Sequence, residues 1–115
     1  MAVIQHIGAH VITRLDSVHT LLVDNHHEIK FTRSEYPLVR RLLDGQIVSD
    51  KELVTLLFGK HAECDLWARE AVERHVAHIR QKFKRHHLKV YVVRIPELGY
   101  LLVSSSPLQH AQQPA

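Results

Sequence analysis

The sequence predicts a small α+β domain: an N-terminal antiparallel β-meander, three helices and a C-terminal β-hairpin. Three observations carry this. Residues 1–31 are rich in β-branched and aliphatic residues cut by turn formers. From residue 32 the apolar spacing changes to three and four, behind recognisable helix starts. Residues 89–104 return to two strand-like runs around "PELG". A length of 115 residues with 45% hydrophobic composition suits one domain with one core. The expected division is a domain over 1–104 and a flexible tail over 105–115. The closing stretch "SSSPLQHAQQPA" is polar and has little to bury.

In the meander, "HVIT" (10–13) and "SVHTLLV" (17–23) read as strands, with an earlier short one around Val3–Ile7 ended by Gly8. "DNHH" (24–27) is the turn, since Asp and Asn tolerate left-handed geometry, and "EIKF" (28–31) is the return strand. The sheet therefore has three or four strands.

"TRSE" (32–35) is a capping-box pattern ahead of Leu38, Val39, Leu42 and Leu43. Pro37 leaves the start open between two caps. Thr32 would cost one intrahelical hydrogen bond, whereas Ser34 would put the proline in the first turn, where its missing N–H is harmless. "DG" (44–45) ends this helix and "QIV" (46–48) offers one short strand. "SDKE" (49–52) is a second capping box, opening a helix with Leu53, Leu56 and Leu57 on one side and Gly59 at its end. "KHAECD" (60–65) is a polar connection. A longer third helix is expected over about 66–84, then strand "KVYVVRI" (89–95), turn "PELG" (96–99) and strand "YLLVS" (100–104).

Charge is unevenly spread. The chain carries a net +3, but residues 69–94 hold eight Lys/Arg against two acids, a local +6. Such a concentration suits an anionic partner. No run of 18 apolar residues exists to span a membrane, the N-terminus lacks a signal-peptide pattern, and the lone Cys64 has no disulfide partner. These point to a cytoplasmic protein with no membrane partner.

The third helix sorts its residues by angle. At 100° per residue, Val72, Val76, Ile79 and Phe83 fall within an arc of about 60°, the core side. Glu70, Arg74, Ala77, Gln81 and Arg85 lie opposite, flanked by His78 and Lys84. That outer face offers cations for phosphates, and Arg and Gln that can make paired contacts to base edges. Small Ala77 allows close approach. Glu70 is spaced to pair with Arg74 at i, i+4.

These segments resemble the OmpR/PhoB-type winged helix-turn-helix domains, the effector domains of response regulators in two-component systems. "VERHVAHIRQKF" (72–83) is similar to the family's recognition helix. "FTRSEYPLVRRLL" (31–43) is similar to the entry into its first helix, and "GQIVSDKELVTLLFG" (45–59) to the segment that follows. "VVRIPELGYLL" (92–102) is similar to its wing. The resemblance spans about residues 18–103. It implies a fold with the third helix in the major groove of double-stranded DNA and hairpin 89–104 as wing, acting in transcription regulation.

Residue by residue, the resemblance implies that His75, His78 and Arg80 approach the backbone or the major groove. It implies that Arg74 and Ala77 face bases, and that Arg94 stands where a wing arginine enters the minor groove. Gln81 and Lys84 complete the expected DNA-binding set from the helix face. RNA polymerase at residues 59–66 and homodimeric binding to repeated half-sites are implied by resemblance alone. The chain departs from the family pattern at Glu70, where a basic residue is usual. It also departs in the wing, which is two residues longer and holds Pro96 and Glu97 in place of glycine. No receiver domain precedes Met1, which suggests an excised effector half or a stand-alone version.

No cofactor, metal site or catalytic residue is expected. The eleven histidines include adjacent pairs (His26–His27, His86–His87) and an i, i+3 pair (His75, His78), but no H-E-x-x-H and no close set of four ligands. "HAEC" (61–64) lacks the P-C-x-x-C partner that zinc deaminases need. These histidines would instead add charge below about pH 6.5. Glu70 and Glu73 are expected to sit beside arginines rather than in a pocket, and Trp67 to pack in the core or against a loop. The rival function is a winged-helix protein-interaction module that has lost or weakened DNA binding. Glu70, Glu73 and Glu97 on the DNA side favour it, and the +6 over 69–94 opposes it.

Overall fold

The alternation in the first thirty residues produces four strands: β1 (Val3–Ile7), β2 (His10–Leu15), β3 (Thr20–Val23) and β4 (His27–Lys30). They form one antiparallel sheet in the order β1-β2-β3-β4. This computed structural model describes residues 3–105; the expected tail lies, from residue 106 onward, outside the described residues. Register places Ile12 opposite Val23 and Leu21 opposite Ile29. Those four side chains are the sheet's contribution to the core, all buried.

The third strand begins later than its sequence suggests. Asp16–Val18 form a 3-10 turn and His19 is left-handed, so the strand starts at Thr20. Asp16 is held there by the Tyr36 hydroxyl, which donates to its carboxylate at 2.6 Å, and Thr20 donates to the Val18 carbonyl at 2.8 Å. The "DNHH" turn closes as expected: Asp24 and Asn25 both have positive φ, and His26 N–H donates to the Val23 carbonyl.

Helix α1 (Glu35–Leu42) is preceded by a complete capping box. The Thr32 hydroxyl accepts from the Glu35 amide at 3.1 Å, and the Glu35 carboxylate accepts from the Thr32 amide at 2.8 Å. Counted from Ser34, Pro37 sits in the first turn, but Ser34 makes no side-chain cap bond, so Thr32 supplies the cap. Leu38, Val39, Leu42 and Leu43 are buried as the spacing predicts.

"QIV" reduces to a single bridge between Val48 and Tyr100, each donating its amide to the other's carbonyl. Only Val48 of the three is buried, and Ser49 at once caps α2 (Asp50–Phe58) by accepting from the Glu52 amide. The second capping box is half made, because the Glu52 carboxylate pairs with Arg41 instead. Leu53 and Val54 form the buried side of α2. Leu56, expected beside Leu53, is exposed, since three residues carry it past the helix's narrow contact stripe.

Helix α3 (Leu66–Arg85) buries Val72, Val76, Ile79 and Phe83, the stripe set by angle, and adds Ala68 and Ala71. Trp67 packs edge-on to Phe58 at 4.9 Å between ring centres and stays half exposed. Strands β5 (Val90–Ile95) and β6 (Gly99–Ser104) form the hairpin, with Arg94 opposite Tyr100. The architecture is the expected α+β one. Its single core joins the sheet, all three helices and the inner face of the hairpin.

Candidate nucleic-acid interface

The interface is built by the way α3 turns into the wing. His87 adopts a left-handed conformation after the helix. Its amide donates to the Lys84 carbonyl and the Leu88 amide to that of Phe83. This is a Schellman end, with Leu88 buried as Phe83 is. Only residues 86–89 separate α3 from β5. The helix and the first wing strand therefore lie side by side. Arg80 joins them, donating from Nε to the Val92 carbonyl at 2.8 Å.

Between the C-terminal half of α3 and the open edge of β5 runs a groove of about 820 Å³. Its cationic lining is Arg80, Lys84 and Lys89, with His87 beside them. Its floor includes Leu88, Val92 and the exposed Tyr91. Three permanent cations thus line one trough beside the helix. Lys89 and Tyr91 were not singled out from sequence. Lys89 was visible only as part of the basic run. The alternation of β5, with Val90 and Val92 buried, is what turns Tyr91 outward.

Arg80 apart, the expected site residues divide into three groups. Arg74, Ala77, Gln81 and Lys84 lie exposed on one continuous face of α3. Among the described residues, the side chains of Arg74, Gln81 and Lys84 have no intramolecular hydrogen bond or ion pair. The expected pairing of Glu70 with Arg74 is absent, as is any ion pair of Glu73, among the described residues. An exposed i, i+4 pair is worth only a few tenths of a kcal/mol, less than hydration and side-chain freedom can offset.

His75 and His78 turn towards α1. His78 Nδ1 stands 3.9 Å from the Glu35 carboxylate. His75 is half-buried, with Nδ1 enclosed and unpartnered. Burial, joined by the charges of His78 and Arg74, lowers its pKa against the pull of Glu35. Lys82 lies on the same side and donates to Glu35 at 2.6 Å. Burial works to raise the Glu35 carboxyl. The hydrogen bonds from Lys82 and Thr32 outweigh it and hold the group below its ordinary value.

Arg94 is not the free cation that its place on the wing suggests. Both of its terminal nitrogens contact the Asp50 carboxylate, Nη2 at 2.9 Å. Its guanidinium also lies 4.8 Å from the centre of the Tyr100 ring. The hydrogen bond to Asp50 raises its pKa further above an already high value. Gly99 makes this docking possible. A Cβ there would collide with the Val48 carbonyl oxygen, and φ is +141°.

Among the described residues no three His, Cys, Asp or Glu come together as metal ligands, and no helix is long and apolar enough to cross a membrane. One histidine pairing was illegible in sequence: His27 Nε2 on β4 faces His86 Nδ1 at the end of α3, 2.5 Å apart.

No family model and no curated protein matches this sequence. Among the solved structures that match its fold are two DNA-binding domains. One is the DNA-binding domain of the response regulator AdeR in complex with an intercistronic region: 18% identity, 81% of this chain and 94% of that one, TM-score 0.64. The other is the DNA-binding domain of CadC from E. coli: 17% identity, 91% of this chain and 94% of that one, TM-score 0.66. The fold expected from the OmpR/PhoB resemblance is the fold found: this chain has the winged helix-turn-helix architecture of those two DNA-binding domains.

Proposed function

We propose that this chain binds double-stranded DNA sequence-specifically in transcription regulation, with α3 in the major groove and the hairpin 89–104 as wing. The observation that carries it is the unpaired, exposed row of Arg74, Gln81 and Lys84, continuous with the basic groove beside β5. A face kept solvated and cationic, next to a trough lined by Arg80, Lys84 and Lys89, is what the backbone and bases of a duplex require. The contact set is Arg74, His75, Ala77, His78, Arg80, Gln81 and Lys84; Arg94, tied to Asp50, lies outside it. Arg74 and Gln81 read base edges, while Arg80 and Lys84 hold phosphates. The chain acts by binding rather than catalysis, in the cytoplasm, as the effector module of a response regulator. The AdeR domain, crystallised with DNA, supports the partner class. Homodimeric binding to repeated half-sites belongs to the same proposal. So does a contact of residues 59–66, beside exposed Leu66 and Trp67, with RNA polymerase.

The test is duplex binding by fluorescence anisotropy over a salt series, with Arg74→Ala and Arg80→Ala beside the native chain. Each phosphate contact adds about −0.9 to the slope of log K against log salt. A steep slope, and weakening by both substitutions, supports the proposal. No binding at low salt, or binding indifferent to both arginines, transfers the function to a protein-interaction module.

A further inference from the structure

Asp50 is the first residue of α2, and its side chain is 18% exposed. It gathers two arginines from two other elements. Arg94 of β5 grips it with both terminal nitrogens, and Arg69 of α3 donates from Nη2 at 3.0 Å. The Arg94 hydrogen bond first, and Arg69 after it, hold the Asp50 carboxyl below its ordinary value against partial burial. Asp50 is thus an anion at neutral pH, and Arg94 is tied over the Tyr100 ring rather than extended from the wing.

This matters for how the wing meets a polyanion. An arginine reaching phosphate displaces condensed counter-ions, and that release drives much of the affinity. A guanidinium already neutralised by a carboxylate brings its own anion, displaces none, and sets a negative charge near the phosphates. Charges in contact at this exposure are not screened from one another by ordinary salt, because they lie well inside a Debye length.

We propose that Asp50 is a positioning residue that withholds Arg94 and Arg69 from the phosphate backbone, so that this cluster meets duplex DNA with one net positive charge instead of two free guanidiniums. The inference rests on the DNA-binding reading above. It assigns affinity to the α3 face and the groove of Arg80, Lys84 and Lys89, with the wing supplying shape.

The experiment is a salt-dependent anisotropy titration of a duplex of arbitrary sequence. It uses the native chain, Asp50→Asn, Arg94→Ala and the double variant. The asparagine keeps the size of the side chain and removes its charge. Asp50→Asn should steepen the slope by about 0.9 to 1.8, one or two added phosphate contacts, and tighten binding ~3- to 10-fold at low salt. Arg94→Ala alone should leave the native slope unchanged, and added to Asp50→Asn it should cancel most of the gain. An unchanged slope in Asp50→Asn overturns the proposal. So does weaker binding at the native slope, the mark of a merely loosened wing. A slope shallower by about 0.9 in Arg94→Ala alone also overturns it, and that arm stands even if Asp50→Asn does not fold. If the native chain binds no duplex at low salt, the DNA reading fails and this inference with it. If the native chain binds but Asp50 and Arg94 behave otherwise than stated, only the inference fails.

Discussion

Arg80 Nε and the carbonyl oxygen of Val92 are 2.8 Å apart, and this hydrogen bond fastens the recognition-helix candidate to the outer edge of its wing. The same guanidinium lines the basic groove, so one residue serves two purposes that substitution can separate. Arg80→Lys should keep the DNA salt slope while losing the planar Nε donor. A charge-assisted bond at a partly exposed site is worth about 1 kcal/mol, which lowers Tm by roughly 4 to 8 °C in a domain of this size. Arg80→Ala should lose the stability and also about 0.9 of slope. Equal slopes for the alanine and lysine variants would remove Arg80 from the phosphate-binding set.

Glu35 offers a pH-dependent test of the fold. Its carboxyl is depressed in the folded state by Lys82 and Thr32 despite burial. A depressed carboxyl contributes stability above the unfolded value of 4.5, and that contribution is lost as pH falls through the folded one. Glu35→Gln should therefore cost about 2 kcal/mol at pH 7, with the difference from the native chain shrinking steadily below pH 4.5 in urea titrations. A difference that is constant with pH would show that the charge at Glu35 contributes nothing.

The His27–His86 pair joins the meander to the end of α3 through two facing ring nitrogens, and such a pair has room for one proton. Burial, then the charge of His27, lowers the pKa of His86, helped by Arg85, His87 and Lys82. The unfolded chain therefore takes up this proton first, near pH 6.5. Stability is full above that value and falls as pH drops from it towards the lowered folded one. His75 adds in the same direction. Urea midpoints should decline as pH falls below 6.5, and His86→Gln should flatten part of the decline. A His86→Gln chain with the native profile would sink this assignment.

Two wing positions make opposite predictions. Gly99→Ala forces a methyl into the Val48 carbonyl and should cost roughly 3 kcal/mol or more, with loss of the Val48–Tyr100 bridge. Glu97 already holds a left-handed conformation at φ +67° without being glycine. Glu97→Gly should relieve about 1 kcal/mol of backbone strain and remove a negative charge from the wing tip, raising both Tm and duplex affinity. A lower Tm for Glu97→Gly would contradict the strain argument.

Local signals with one physical cause were readable from sequence. Thr32 and Glu35 form the box their spacing describes, and Val72, Val76, Ile79 and Phe83 are buried because helical period alone sets their face. Pairings between distant segments were not readable. Nothing local in "SDKE" tells that Asp50 meets Arg69 and Arg94, since such pairing depends on how α2 crosses α3 and the hairpin. Tyr36 similarly bends the start of β3 through Asp16, twenty residues upstream. The face of α3 was legible; which of its cations stay free was decided by tertiary neighbours.

The wing is pinned beside its tip by Gly99, Val48 and Tyr100, while Pro96, Glu97 and Leu98 in the turn are exposed. Register is therefore set at Tyr100, two residues past the exposed turn, where the hairpin meets the body. Exposed side chains in the turn can be exchanged or recharged while that bridge holds the strand pairs in place. The same body can in this way carry different side chains at its tip, Pro96 and Glu97 being the pair found here.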